Sequence, residues 1–388
     1  MMKKLIVFMI FWVCFCQSAF AADADFEIID EYAKIYGGEI QKSTQKLDGV
    51  DFDKIIPGFS VDEIVSGLAR GESIFSVQGI LNKGISLLAG EIRETLKILI
   101  FILAIGLLCT YLTNMQNSFG SKGVSDAAFF VCYMVIVGIA AASFFQVVGC
   151  GKTLISNLSL FMRTLAPVVL VTLAASGAAI SATGFELIFM GVIELAEWML
   201  ETVFVPLILI TAALSMVNNL SQNLNAEKLV QFMNKTTKWG IGIVMTVFVG
   251  VMGLQGIVSG SADGLTVKVT KFAAGNLIPL VGGALSETVE TVMNCSVVIK
   301  NAVGVVGIIT VILIVAVPVI KVAACLIMFR LCAALLQPVC DKRIVKCISE
   351  LADSMSSVFG MMMVVAVMFI IMITIIINVG STAALLGR

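Results

Sequence analysis

Apolar segments of bilayer length follow one another through most of this chain, and they leave few folds open. Candidate spans cover 96–112, 127–149, 164–183, 203–218, 239–259, 297–318, 319–337 and 357–379. A helix needs about 20 apolar residues to cross the hydrocarbon layer, where its backbone N–H and C=O groups must pair within the segment. The expectation is an all-α polytopic membrane helix bundle of about seven or eight spans. The stretch 297–337 is the hardest to divide, and Pro318 and Lys321 mark a break there. Composition points the same way. Of 388 residues, 59% are hydrophobic and 13% charged, against about a quarter charged in a soluble domain, and mean hydropathy is +1.05.

The N-terminus has the order of a secretory signal peptide. Lys3 and Lys4 precede an apolar run over 5–15, and Ala19-Phe20-Ala21 forms the cleavage site, so residues 1–21 are expected to be removed. Residues 22–95 then make an extracytoplasmic head and residues 96–388 the transmembrane domain. The head is acidic: residues 23–95 carry 14 Asp and Glu against 7 Lys and Arg, whereas residues 96–388 carry 12 against 16. Within it, 50–59 ends at a Pro-Gly turn, and 61–68 and 80–92 have helical spacing with polar faces. The head is helical and too short to bury much core alone.

Counting crossings from an external head puts 113–126 inside. It also puts 260–272 (Lys268, Lys271) and 338–356 (Lys342, Arg343, Lys346) inside, as the positive-inside rule prefers. The same count sends 219–238, with Lys228, Lys235 and Lys238, outside. That conflict points to a miscounted crossing.

Several chemistries lack their residues. There is no His in the chain, which removes His metal sites and the Ser-His and Cys-His nucleophiles. Past the signal peptide lie Cys109, Cys132, Cys150, Cys295, Cys325, Cys332, Cys340 and Cys347, none in the head and none in a C-x-x-C. Most sit in apolar helices, where Cys behaves as a small hydrophobe. Gly149–Thr153 reads GCGKT, but a phosphate-binding loop needs Gly where Gln146 stands, and a preceding strand. No basic patch fits nucleic acid. No catalytic residue, cofactor, nucleotide or metal is expected.

Three polar or glycine patterns stand out. Glu186, Glu194, Glu197 and Glu201 fall within about 80° of one another on a helix. Four carboxylates facing lipid would be very costly. They belong either to an interfacial amphipathic helix with Trp198 at headgroup level or to a water-filled path that favours cations. Gly256, Gly260 and Gly264 are spaced for close helix packing. In 275–287, Pro279 removes a backbone donor and Gly282-Gly283 lowers helix propensity. A re-entrant or broken helix fits this stretch, an interfacial loop being the alternative.

The same stretch carries a family resemblance. Residues 263–308 resemble the signature region of the stage III sporulation protein AE family, whose K-x-x-x-G-N-hydrophobic-I-P-hydrophobic-hydrophobic-G-G pattern is met by Lys271, Gly275, Asn276, Ile278, Pro279, Gly282 and Gly283. Lys300-Asn301 and Gly304 continue it, and 87–99, 161–170 and 333–338 agree further. The resemblance implies a role in endospore formation. It implies a multi-pass protein of the mother-cell membrane surrounding the forespore, working with the other stage III A proteins and, through the complex, with the forespore protein SpoIIQ in a channel-like or secretion-like assembly. The head would then lie in the intermembrane space.

Three functions compete. The bundle is a conduit, gate or export platform of that assembly, with 271–287 and the Glu stripe near the path. Alternatively it is a non-conducting scaffold that anchors ring-forming partners. A small-solute secondary transporter would show inverted repeats, and none is persuasive here. An intramembrane enzyme would need paired Asp, Ser-His or zinc arrangements, and none is visible.

Overall fold

A computed structural model describes residues 77–119, 122–220, 226–277 and 282–386, together with Gly38. They form α1 (Val77–Phe119), α2 (Lys122–Ala175), α3 (Ala179–Met199), a π-helical turn (Leu200–Phe204), α4 (Val205–Leu220), α5 (Glu227–Leu277), α6 (Gly282–Leu336) and α7 (Lys342–Leu386). No strand occurs among the described residues. The fold is all-α, as the hydropathy pattern requires. The signal peptide and, apart from Gly38, the head as far as residue 76 lie outside the described residues, and α1 runs unbroken across the expected boundary at 95.

Six helical segments are long and apolar enough to cross a membrane: Ala89–Leu112, Ala127–Ala175, Ser181–Leu220, Glu227–Gly256, Cys295–Leu336 and Lys342–Val379. This departs from the seven or eight expected, for reasons that can be named. Residues 150–163 join two expected spans into the single helix α2. Their Leu154, Ile155, Leu158, Phe161 and Met162 are buried, so core packing carries the helix past Lys152 and Arg163. Pro318 does not break α6 either. It removes one donor from the ladder, but Val311, Ile314, Val322 and Ala324 are buried on both sides of it, and the apolar face holds the helix together.

The expected span 164–183 is instead cut in two. At the end of α2, Gly177 adopts φ 91°. Its N–H donates to the Ala174 carbonyl and that of Ala178 to the Leu173 carbonyl, the paired bonds of a Schellman C-cap. The positive φ favours Gly strongly. Further on, the π-helical turn precedes Pro206. A proline ring crowds the carbonyl four residues back, and widening the helix ahead of it relieves that contact.

The helices run alternately up and down. α6 and α7 are the most enclosed, with 56% and 61% of their apolar windows buried, against 22% for Ala89–Leu112 and 17% for Glu227–Gly256. The core is therefore the α6–α7 pair, wrapped by α1, α2, α3–α4 and α5. Large side chains buried against it include Tyr133, Phe144 and Phe161 of α2 and Phe185 and Phe189 of α3, beside Phe369 of α7 itself. Helices of this length measure about 65–80 Å at 1.5 Å per residue, more than twice the hydrocarbon thickness.

One end of the bundle gathers both short connections that precede α5 and α7. Lys346 Nζ lies 2.6 Å from Glu227 Oε2, and Asn218 Oδ1 accepts a hydrogen bond from the Ala226 N–H at 2.7 Å. The start of α5 thus lies at the same end as 338–356, whereas the sequence-based count put 219–238 and 338–356 on opposite sides. Residues 297–336 lie in one continuous helix, which puts 260–272, with Lys268 and Lys271, at the end opposite to 338–356. Gly256 faces Ile375 and Val379 near the end of α7, so α5 ends and α6 begins at the opposite end.

Candidate functional site

Polar side chains collect at each end of the α6–α7 core. At the basic end, α2, α4 and α7 converge on Glu350. Its Oε2 accepts hydrogen bonds from Ser215 Oγ and from Asn219 Nδ2 at 2.7 Å. Tyr133 Oη donates to the Met216 carbonyl at 2.8 Å. The Arg343 guanidinium sits 3.8 Å from the centre of the Phe129 ring, which itself stacks on Tyr133. Asp341 caps α7, its Oδ1 accepting the Arg343 N–H at 2.9 Å. Burial alone would raise the Asp341 pKa, but the hydrogen bonds and charge of Arg343 outweigh it and hold the carboxyl below its ordinary value. With Ser215 and Asn219 of α4 donating to it, Glu350 ties α4 to α7.

Near the other end, α6 and α7 cross at Gly304. A methyl group there would overlap the Ile377 side chain. Beside this contact, Lys300 is fully buried, and its ammonium donates to the Ile377 carbonyl at 2.6 Å. Asn301 is also buried, and its Oδ1 accepts no hydrogen bond. Gly307, one turn further, meets Leu165 of α2. Backbones this close, with a lysine locked across them, fix the register of α6 on α7.

The Glu stripe acquires a partner that its spacing does not reveal. Arg163 on α2 pairs with Glu197 at 2.7 Å and Glu194 at 3.4 Å. Glu186 is exposed, and Glu201 is half-buried within the π-helical turn. The stripe is therefore partly a tie between α2 and α3. Of the glycine series, Gly256 packs on α7, its Cβ position 3.1 Å from Ile375; Gly260 and Gly264 lie further along α5.

The motif of the opening stretch is divided between two helices. Lys271, Gly275 and Asn276 belong to the last turns of α5, and Gly282 and Gly283 open α6; Pro279 lies outside the described residues. About 30 Å of helix on each side separates this turn from the Gly256 and Gly304 contacts. Gly149–Thr153 is in the middle of α2. Thr95, Leu99, Ile102, Met328, Phe329 and Cys332 line a shallow apolar cleft between α1 and α6, too narrow for a water molecule.

The amino-acid sequence matches a known protein family. The family model described as stage III sporulation protein AE matches residues 59–380. The chain belongs to the stage III sporulation protein AE family. A relative from Bacillus subtilis (strain 168), stage III sporulation protein AE, is 30% identical over 312 residues, covering 80% of this chain and 78% of the relative. No solved structure matches. For a stage III sporulation AE protein, the contacts described above that fall on the signature region are those of Lys300, Gly304 and Gly307. Sequence reading missed Arg163, Tyr133, Ser215, Asn219 and Glu350. Ionisable residues inside apolar helices were the available signal, but which of them meet depends on packing.

Proposed function

We propose that this protein is a membrane component of a mother cell–forespore transenvelope complex required for endospore formation, acting there as gate or export-platform subunit. Membership of the stage III sporulation AE family carries the reading. Its partners are the other stage III A proteins and, through the assembly, SpoIIQ. The basic end, with Lys228, Lys342, Arg343 and Lys346 beside the two connections, faces the mother-cell cytoplasm by the positive-inside rule. The acidic head and the α5–α6 turn then face the intermembrane space, within reach of partner ectodomains. The Glu stripe and the 271–283 motif contribute to a path that opens only in the assembly.

The tight α6–α7 packing favours a second reading, a non-conducting scaffold that anchors ring-forming partners. The two separate in sporulating cells that carry Asn276→Trp or Gly283→Trp. A gate or platform loses spore formation while the variant still co-purifies with its stage III A partners. A scaffold keeps spore formation as long as that co-purification persists.

A further inference from the structure

We infer that the first turns of α5 form a docking face for anionic phospholipid headgroups. Lys228, Phe232, Lys235 and Trp239 recur at i, i+4, i+7 and i+11, within about 60° on the helix, and all four are exposed. Lys238 is exposed on the flank of this face. Val230, Thr237 and Ile241 turn inward and are buried, so packing fixes which side faces out. None of the three lysines forms an ion pair with a described acid; Glu227, the acid at the start of α5, is engaged by Lys346.

Chemistry changes along the same face. Beyond Trp239 come Ile243, Val247 and Leu254, which are 55%, 59% and 67% exposed. Three such side chains in a row on a membrane helix belong in hydrocarbon. Trp239, 71% exposed, then sits where an indole prefers to be, at the boundary of hydrocarbon and headgroup. Lys235 and Lys238 stand within one turn of it on the watery side, at phosphate level, and Lys228 extends the positive field outward. A zwitterionic headgroup leaves three unpaired ammonium groups without counter-charge, whereas a phosphatidylglycerol-type headgroup supplies one.

Trp239 reports the occupant directly, since the chain holds three tryptophans, Trp12, Trp198 and Trp239. The full chain carrying Trp12→Phe and Trp198→Phe is reconstituted into phosphatidylcholine vesicles with brominated phosphatidylglycerol or brominated phosphatidylcholine at equal mole fraction. At low salt, the fitted preference for brominated phosphatidylglycerol should be about threefold or more. It should fall to unity in Lys235→Gln/Lys238→Gln and persist in Lys235→Arg/Lys238→Arg. Equal quenching by both lipids, or loss of the preference in the arginine variant, overturns the inference. So does absence of quenching by either lipid, which would mean that protein covers this face.

Discussion

Gly304 illustrates how one missing methyl can set a helix pair. Its Cβ position is occupied by Ile377, so Gly304→Ala should destabilise the bundle by about 1–3 kcal/mol through overpacking. Gly360 is the matched control: it lies inside α7 with nothing within 4 Å of its Cβ position. Gly360→Ala should stabilise by about 0.5–1 kcal/mol, the ordinary gain of alanine over glycine in a helix. Denaturation midpoints of the two variants in detergent, moving in opposite directions, check the pair. Both glycines look alike in the sequence, since the neighbour that distinguishes them is 73 residues away in one case and absent in the other. Gly177 was no more legible, sitting inside an expected span whose hydropathy hides the turn. Lys300 and Gly304 were legible only as members of a family pattern, not as a contact.

Elements bring the caps and ties into play. Asp341 closes the N-terminus of α7 and lies between two membrane segments. Asp341→Ala should cost about 1 kcal/mol by removing the cap. The depressed Asp341 pKa gives the sign of the pH effect. Its contribution is complete above the ordinary carboxylate range and is lost as pH falls through the lower folded value. The Asp341→Ala penalty should therefore be constant from pH 7 to pH 5 and shrink only in strong acid, as denaturation midpoints across that range would record. Between α2 and α3, Arg163 and Glu197 should show a coupling of roughly 0.5 kcal/mol in a double-mutant cycle, the scale of an exposed pair; a coupling several times larger would place the pair in a dry setting. Helix type and the broad location of most spans followed from hydropathy. Helix ends did not: polar residues at 150–163 and Pro318 read as breaks, yet buried apolar neighbours override them. Local pattern reports what a segment tolerates, and tertiary burial decides where it stops.

Across the whole molecule, the run of continuous helices determines which segments share an end. One helix where two spans were expected over 297–337, and another over 127–175, bring the basic segments 219–238 and 338–356 to a single end and send the α5–α6 turn to the other. The positive-inside rule then holds for these two segments, while Lys268 and Lys271 move to the other end with the α5–α6 connection. The orientation proposed above follows from this arrangement, with the basic end on one side and the α5–α6 connection on the other. The most direct test uses single cysteines in an otherwise cysteine-free chain expressed in the cell membrane, probed with a membrane-impermeant maleimide. Lys228→Cys and Lys342→Cys should label only after permeabilisation, whereas Ser286→Cys should label in intact cells. Labelling of Lys228→Cys and Lys342→Cys from opposite sides would contradict the account.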